Sequence, residues 1–272
     1  MTKVGFITDK PHQKKAIGLV EYLKTKADVS IYLEESYLLK KSKRFDFDED
    51  IFFVKAKGDL VVDLTKYIER ETSIPIFNSS EGIWLAMHRF LNILYMKKAG
   101  IPVPDYSLNP EGIPPPFPDY IVKNIVDQKV YAFTPKVEKK DGHIQVSDER
   151  ALREAVGGQE DYHYLFYQEY VESEWEYKLY GVGEETFFYK QLPILVNPNK
   201  MESRHEIDPI PELKEIALKA MKTLNLKLAS VDFLRTKEGK FYLTDINCTP
   251  NFNYIPNGAR IVGDYILSQA KK

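Results

Sequence analysis

Val231-Asp232-Phe233-Leu234 and Phe241-Tyr242-Leu243-Thr244-Asp245-Ile246-Asn247 are two apolar runs with interleaved polar positions, separated by Lys237-Glu238-Gly239-Lys240. That pattern is the signature of a β-hairpin. With Glu238-Gly239 as a two-residue loop, Lys237 pairs with Lys240, and counting outward sets Asp232 directly opposite Asp245. Facing Cβ atoms in such a pair stand roughly 4.5–5.5 Å apart. Asn247, two residues beyond Asp245, falls on the same face. Val231, Phe233, Tyr242 and Ile246 form the other face and read as core.

Like charges directly opposed across a strand pair are destabilising, so the arrangement calls for a compensating cation. Carboxylate and amide oxygens are hard ligands. The set leaves positions open, as Mg²⁺ prefers when it also binds a nucleotide's phosphates. The bland alternative is a solvated pair of surface aspartates. A bulge at Gly239 would shift the register by one and separate the pair. The hairpin by itself does not decide, and the rest of the chain must.

At 272 residues the chain has room for two or three domains. Its net charge of −2 supplies no global basic field for nucleic acid or a membrane surface. No run of 18 apolar residues and no signal-peptide pattern occurs, so the expectation is a cytoplasmic protein. A single cysteine, Cys248, excludes an intrachain disulfide framework and any multi-cysteine zinc site. No histidine is near it in sequence to activate it, and it reads as a bystander.

In the first hundred residues, strands at 3–8, 29–33, 51–54 and 74–77 alternate with helical patterns near 17–24 and 59–70. Alternation of this kind predicts a small parallel α/β domain. No GxGxxG follows the first strand, so a dinucleotide reading lacks support. The mixed-charge stretch from Lys40 to Asp50 reads as a solvated loop. Asn78-Ser-Ser-Glu81 has the spacing of a capping box, opening a helix with Ile83, Trp84, Met87, Leu91, Leu94 and Tyr95 on one face and stopping at Gly100. Ala99-Gly-Ile-Pro-Val-Pro104 then forces extended backbone.

Beyond that link come a strand at 120–124 that carries Lys123, a strand pair across Lys139-Lys140-Asp141-Gly142, a short helix after Ser147, and a strand at 162–171. A lysine closing an apolar strand can project its ammonium toward a phosphate, though an ordinary edge lysine looks the same. Leu165-Phe-Tyr-Gln-Glu-Tyr-Val171 breaks into Glu172-Ser-Glu-Trp-Glu176, where backbone groups can read the edge of a base. A hairpin follows across Gly183-Glu-Glu, and then an amphipathic helix over 211–224 fit to pack beneath the 231–247 hairpin.

In this order the elements resemble the ATP-grasp superfamily, and most of all its RimK-type ligases and inositol trisphosphate 5/6-kinases. The likeness covers nearly the whole chain and rests on Ala99-Gly-Ile-Pro-Val-Pro104, Tyr120-Ile-Val-Lys123, Gln168-Glu-Tyr-Val171, Asp232 and Asp245-Ile-Asn247. It implies an α/β fold of ATP-grasp type: a small parallel α/β N-terminal domain over 1–100, a central lid subdomain over 101–170, and a C-terminal subdomain with the metal site over 171–272. The last two, both α+β, would clasp ATP between them. By resemblance, Lys123 contacts the α- and β-phosphates, with Lys129 nearby. Gln168, Glu169, Tyr170 and Val171 form the adenine hinge, and Glu172 or Glu176 serves the ribose. Lys178 and Arg204 approach the γ-phosphate, and Asp232, Asp245 and Asn247 hold Mg²⁺ or Mn²⁺.

The same resemblance implies an ATP-dependent carboxylate–amine ligase that forms an acyl phosphate and releases ADP and phosphate. The acceptor would be a small carboxylate or polyol, an amino acid or a peptide, with no nucleic-acid or membrane partner, and an oligomer is compatible. A kinase acting on a small polyol is the alternative, with His205 or Asp208 as the base. A binding module without turnover is the third reading. Lys200, Arg204 and Arg260 would favour an anionic substrate in any of these. Two departures stand out: Asp245 occupies a position where the family usually has Glu, and Asn124 to Phe133 contains no glycine. Without glycine, backbone amides approach phosphate less closely.

Overall fold

In the computed structural model, which describes residues 1–34, 47–110, 112–127, 135–148 and 164–270, β1 (Lys3–Thr8) buries every residue after its first. It is followed by α1 (Lys10–Lys15), α2 (Ile17–Lys24), β2 (Asp28–Leu33), β3 (Ile51–Lys55), α3 (Asp59–Glu71) and β4 (Ile76–Phe77). The four strands pair in parallel in the order β2-β1-β3-β4. Both faces of this sheet are covered, which is why its central strands are apolar throughout rather than alternating. Val4 and Phe6 pack with Leu19, Val20 and Leu23 of α2, while Ile7, Phe52 and Val54 pack with Val61, Leu64 and Ile68 of α3.

The helix expected from residue 78 to Gly100 is instead two helices, α4 (Ser80–Met87) and α5 (Arg89–Lys98). His88 between them has extended backbone and bridges Val126. Met87 O accepts from Asp127 N, and Arg89 N donates to Ile125 O, each at 2.8 Å. The chain beyond Lys123 is thereby laced into the helix, a tertiary effect that periodicity does not carry. The capping box also differs. Ser79 is the N-cap, accepting from Gly82 N at 3.0 Å, and Asn78 faces the hairpin instead.

The second sheet contains β5 (Tyr106–Pro110), β6 (Tyr120–Lys123), β7 (Pro135–Lys140), β8 (His143–Asp148) and β9 (Tyr164–Glu169), in the order β5-β9-β6-β8-β7. Lys129 and the helix expected after Ser147 lie outside the described residues, as does most of the stretch from Lys40 to Asp50.

The third sheet is antiparallel, with β10 (Glu176–Val182), β11 (Glu185–Gln191), β12 (His205–Glu206), β13 (Leu228–Arg235) and β14 (Phe241–Asn247) in the order β12-β11-β10-β13-β14. α6 (Lys200–Ser203) precedes β12, and α7 (Pro211–Thr223) lies beneath the sheet. Leu213, Ala217, Ala220 and Met221 of α7 share one core with Val231, Phe233 and Leu243, as the amphipathic stripe predicts. That core runs on into Ile83 and Met96, so the helices before Gly100 pack directly on the hairpin sheet. α8 (Gly258–Ser268) packs against α2, β3 and β10, with Val262 and Ile266 in the core that also holds Val4 and Phe6. Among the described residues no helix is long and apolar enough to cross a membrane.

Candidate functional site

Asp232 and Asp245 are direct partners across β13 and β14, as the hairpin pattern predicts, but by a different route. The turn has three residues rather than two. Thr236 N donates to Lys240 O and Gly239 N to Thr236 O, both at 2.9 Å, with Gly239 at φ +90°. In that register Asp232 would face Thr244. A bulge between the Asp232 and Phe233 pairings takes up Thr244 as an extra residue and restores Asp232 to Asp245. The same bulge breaks the period of two, so Phe241 and Leu243 enter the core and Tyr242 does not. Val231, Phe233 and Ile246 are buried as expected.

Lys178 of β10 faces Asp232 from the other side and donates to its Oδ1. Burial opposes ionisation of Asp232, but the Lys178 ammonium, aided by Lys200 and Arg204, holds its carboxyl below the usual carboxylate range. Burial likewise opposes the charge on Lys178, and Asp232 more than compensates, raising its pKa. Asn247 sits opposite Ser230, two positions along, and its Oδ1 accepts from Thr249 N at 2.9 Å. Two carboxylates and an amide oxygen on one strand pair are a donor set that fits a hard divalent cation sharing phosphate oxygens.

A cleft of about 210 Å³ opens between the second and third sheets, beside Asp232 and Asp245. Lys123 lines it and donates to Gln168 Oε1 at 2.7 Å and to the carbonyl of the bulged Thr244 at 3.5 Å. Burial pulls the Lys123 pKa down to about 8 against the pull of Asp245 and Asp232. Gln168 to Val171 form the wall of the cleft. The N–H groups of Glu169 and Tyr170 are taken by the carbonyls of Asp105 and Asp119, at 2.7 and 3.0 Å.

The two glutamates offered for a ribose are separated. Glu172 is exposed on the far side and pairs with Lys237 at 2.8 Å. Glu176 is buried in the cleft lining, where it accepts from Gln191 Nε2 and Lys200 Nζ, each at 2.5 Å. Arg204 joins this network, with Nε donating to Gln191 Oε1 at 2.6 Å and a terminal nitrogen to Tyr180 Oη at 3.0 Å. The Lys178 ammonium lies 5.8 Å from the centre of the same Tyr180 ring. Arg260, His205 and Asp208 are exposed, and none of them lines the cleft. Cys248 is buried and its thiol is pushed up to about 11, first of all by burial, so it stays protonated and unreactive.

No family model and no curated protein matches the sequence. Solved structures do. D-alanine–D-alanine ligase from Bacillus anthracis, complexed with ATP, superposes with a TM-score of 0.66 at 15% identity, over 98% of this chain and 97% of that one. A RimK domain ATP-grasp protein from Sphaerobacter thermophilus gives 0.68 at 13%, over 98% and 100%. A RiPP-associated ATP-grasp ligase from Chryseobacterium gregarium, in complex with ADP and a leader and core peptide, gives 0.67 at 14%, over 100% and 98%. The chain has the ATP-grasp fold.

Within that fold, one charged residue that sequence did not mark, Arg89, reaches the cleft and is linked to others behind it. Arg89 lines it, donating to Asn124 O at 2.8 Å and lying 3.4 Å from Asp127. Asp127 also accepts from Lys57 at 2.5 Å. Burial works against the Asp127 carboxylate, but Lys57 and Arg89 hold it low, and Asp127 in turn raises Lys57 against its own burial. Lys55 ends an apolar strand as Lys123 does, so the argument applied to Lys123 would have found it. Arg89 and Asp127 carry no such signal, because the break at His88 that brings them together is tertiary.

Proposed function

We propose that this chain is an ATP- and Mg²⁺-dependent carboxylate–amine ligase of the ATP-grasp type, with units dividing near residues 100 and 170. The observation that carries the reading is the convergence of Asp232, Asp245 and Lys123 on one cleft between two sheets, with Lys178 bonded to Asp232 behind it. Asp232 and Asp245, with Asn247 beside them, would hold the divalent ion, whose contribution when bound is to neutralise phosphate charge. Lys123 would meet the α- and β-phosphates, and Gln168 to Val171 the adenine. Glu176, which lines the cleft where Glu172 does not, would serve the ribose. Lys178 and, through the Gln191–Tyr180 network, Arg204 would face the γ-phosphate.

In the first step a carboxylate oxygen of the acceptor bonds to the γ-phosphorus as the bond to the β,γ-bridging oxygen breaks, giving an acyl phosphate and ADP. In the second, an amine nitrogen bonds to the acyl carbon, the carbon–oxygen bond to phosphate breaks, and the amine loses a proton. No protein nucleophile is needed. The residues contribute positioning and fixed charge in a partly dehydrated cleft. The Chryseobacterium ligase and its leader and core peptide make a peptide one candidate acceptor, beside an amino acid or a small carboxylate.

Phosphorus NMR with MgATP and pooled amino acids, dicarboxylates and polyols tests the reading. ADP and free phosphate that appear only when a carboxylate and an amine are both present would establish the ligase. A new phosphomonoester signal would replace it with a kinase. Bound ATP without turnover in the presence of every acceptor would leave a nucleotide-binding module.

A further inference from the structure

The loop after β14 is fastened to the first hundred residues at Cys248, Thr249 and Pro250. Asn78 Nδ2 donates to Cys248 O at 2.9 Å. Lys55, at the end of β3, donates to Thr249 O at 3.3 Å and to Pro250 O. A further link uses a side chain of the loop itself, since Thr249 Oγ1 lies 3.2 Å from His12 Nε2 of α1. Asp9, the N-cap of α1, accepts from His12 N at 2.7 Å, and both of its carboxylate oxygens lie 2.8 Å from His12 Nδ1. Asp9, His12 and Thr249 are only 7%, 2% and 6% exposed, so water does not compete for these bonds.

The donor types fix where the protons sit. An ionised carboxylate only accepts, so His12 Nδ1 carries the ring proton toward Asp9. Burial holds the imidazole below its ordinary pKa against the pull of Asp9, which leaves the ring neutral and Nε2 an acceptor. Thr249 has one hydroxyl proton and two acceptors at 3.2 Å, His12 Nε2 and Asn247 Oδ1. Among the described residues Nε2 has no other partner, whereas Asn247 Oδ1 already accepts from Thr249 N at 2.9 Å. An unpaired buried acceptor is costly, so the hydroxyl proton goes to Nε2. Asn247 Oδ1 then keeps one of its two lone pairs, on the strand face shared with Asp232 and Asp245.

We propose that Asp9 and His12 are positioning residues for the cation site: they draw the Thr249 hydroxyl proton away from Asn247 Oδ1 and so leave that oxygen a lone pair for the metal. In the other tautomer His12 Nε2–H would donate to Thr249 Oγ1. The hydroxyl proton would then turn to Asn247, and both lone pairs of its oxygen would be filled. His12 touches neither substrate nor cation in this scheme and acts only through Thr249. The role assigned to Asn247 rests on the metal reading of the hairpin, whereas the chain of bonds from Asp9 to Thr249 does not.

Asp9→Asn tests the proposal on the full chain. Asparagine keeps the cap on His12 N but offers Nδ1 an N–H, which should reverse the tautomer. Imidazole nitrogen shifts, read by NMR without metal, should show Nδ1 protonated in the unchanged chain and Nε2 protonated in the variant. Mn²⁺ binding in the presence of a non-hydrolysable ATP analogue, followed by electron paramagnetic resonance, should weaken about tenfold in Asp9→Asn. Adding Thr249→Val removes the misdirected proton and should bring Mn²⁺ affinity back to within about threefold, a coupling that a purely structural role would not give. A protonated Nε2 in the unchanged chain overturns the proposal, as does a tautomer that Asp9→Asn leaves in place. Mn²⁺ affinity that holds after the tautomer reverses, or a fall that Thr249→Val does not rescue, overturns it too and leaves the metal site standing. Absence of Mn²⁺ binding by the unchanged chain would instead remove the metal reading of the hairpin, and this inference with it.

Discussion

Asp232 lies directly across the strand pair from Asp245 because the bulge at Thr244 cancels the extra residue in the turn at Gly239. The two carboxylates differ in what removal would cost. Asp232 is the partner of Lys178, whose side chain is only 15% exposed. Asp232→Ala strands that ammonium and should cost about 3 kcal/mol of stability, in the range for breaking a buried pair. Asp245→Ala should leave stability within about 1 kcal/mol while abolishing Mg²⁺-dependent nucleotide turnover. Denaturant melts and an ADP-release assay on both variants check this. Undiminished turnover in Asp245→Ala would remove the hairpin from the active site.

The buried Lys123 predicts a pH dependence of definite sign. Its folded pKa of about 8 lies below the ordinary lysine value of 10.5. Between those values the unfolded chain holds a proton that the folded one lacks, so stability rises with pH across the window. Lys55, at about 7, adds a rise of the same sign that begins lower. Lys123→Met should flatten the part of the rise above pH 8. Nucleotide affinity should move oppositely and fall by up to about tenfold per unit above pH 8 as the ammonium is lost. Lys123→Arg keeps its charge and should abolish that fall. A profile unchanged in Lys123→Arg would mean that Lys123 does not meet the phosphates.

The two glutamates can be told apart by nucleotide affinity. Glu172 and Lys237 form a surface pair, with side chains 70% and 78% exposed. Glu172→Ala should change affinity by less than about twofold, as exposed ion pairs contribute little. Glu176→Gln removes the charge that orders Lys200 and Gln191 at the cleft wall. It should weaken nucleotide binding by about tenfold, the scale of one charge-assisted hydrogen bond. Equal effects of the two substitutions would return the ribose assignment to an open choice.

How far the sequence could be read follows the range of the interactions concerned. The strands of the first sheet are legible because burial on both faces leaves them apolar. Lys123 and the facing aspartates are legible because a short hairpin and strand periodicity are local, whereas Lys178 stands out only through the resemblance of the whole order of elements. Tyr242 shows the limit, since alternation counted back from Ile246 without the bulge at Thr244 put it in the core. The pairing of Asp232 with Asp245 came out right because two one-residue shifts oppose each other. Arg89 and Asp127 were invisible because their meeting depends on the bridge from His88 to Val126, which no local pattern encodes.

Asn78 supplies the sharpest contrast between sequence spacing and packing. As an N-cap it would give up one helix-end hydrogen bond on mutation, worth about 1 kcal/mol. In the structure it is fully buried and makes four bonds to the hairpin sheet. Its Nδ2 donates to Leu228 O at 2.8 Å and Cys248 O at 2.9 Å, and its Oδ1 accepts from Lys227 N at 2.9 Å and Leu228 N at 3.0 Å. Asn78→Ala leaves those backbone groups unpaired in a dry interior and should cost about 3–5 kcal/mol. Ser79→Ala, which removes the true cap, should cost about 1 kcal/mol. Amide exchange at Lys227 and Leu228 should accelerate in the first variant and not in the second. If Ser79→Ala proved the more damaging, Asn78 would not be the pin between the first sheet's helices and the strands that carry Asp232 and Asp245.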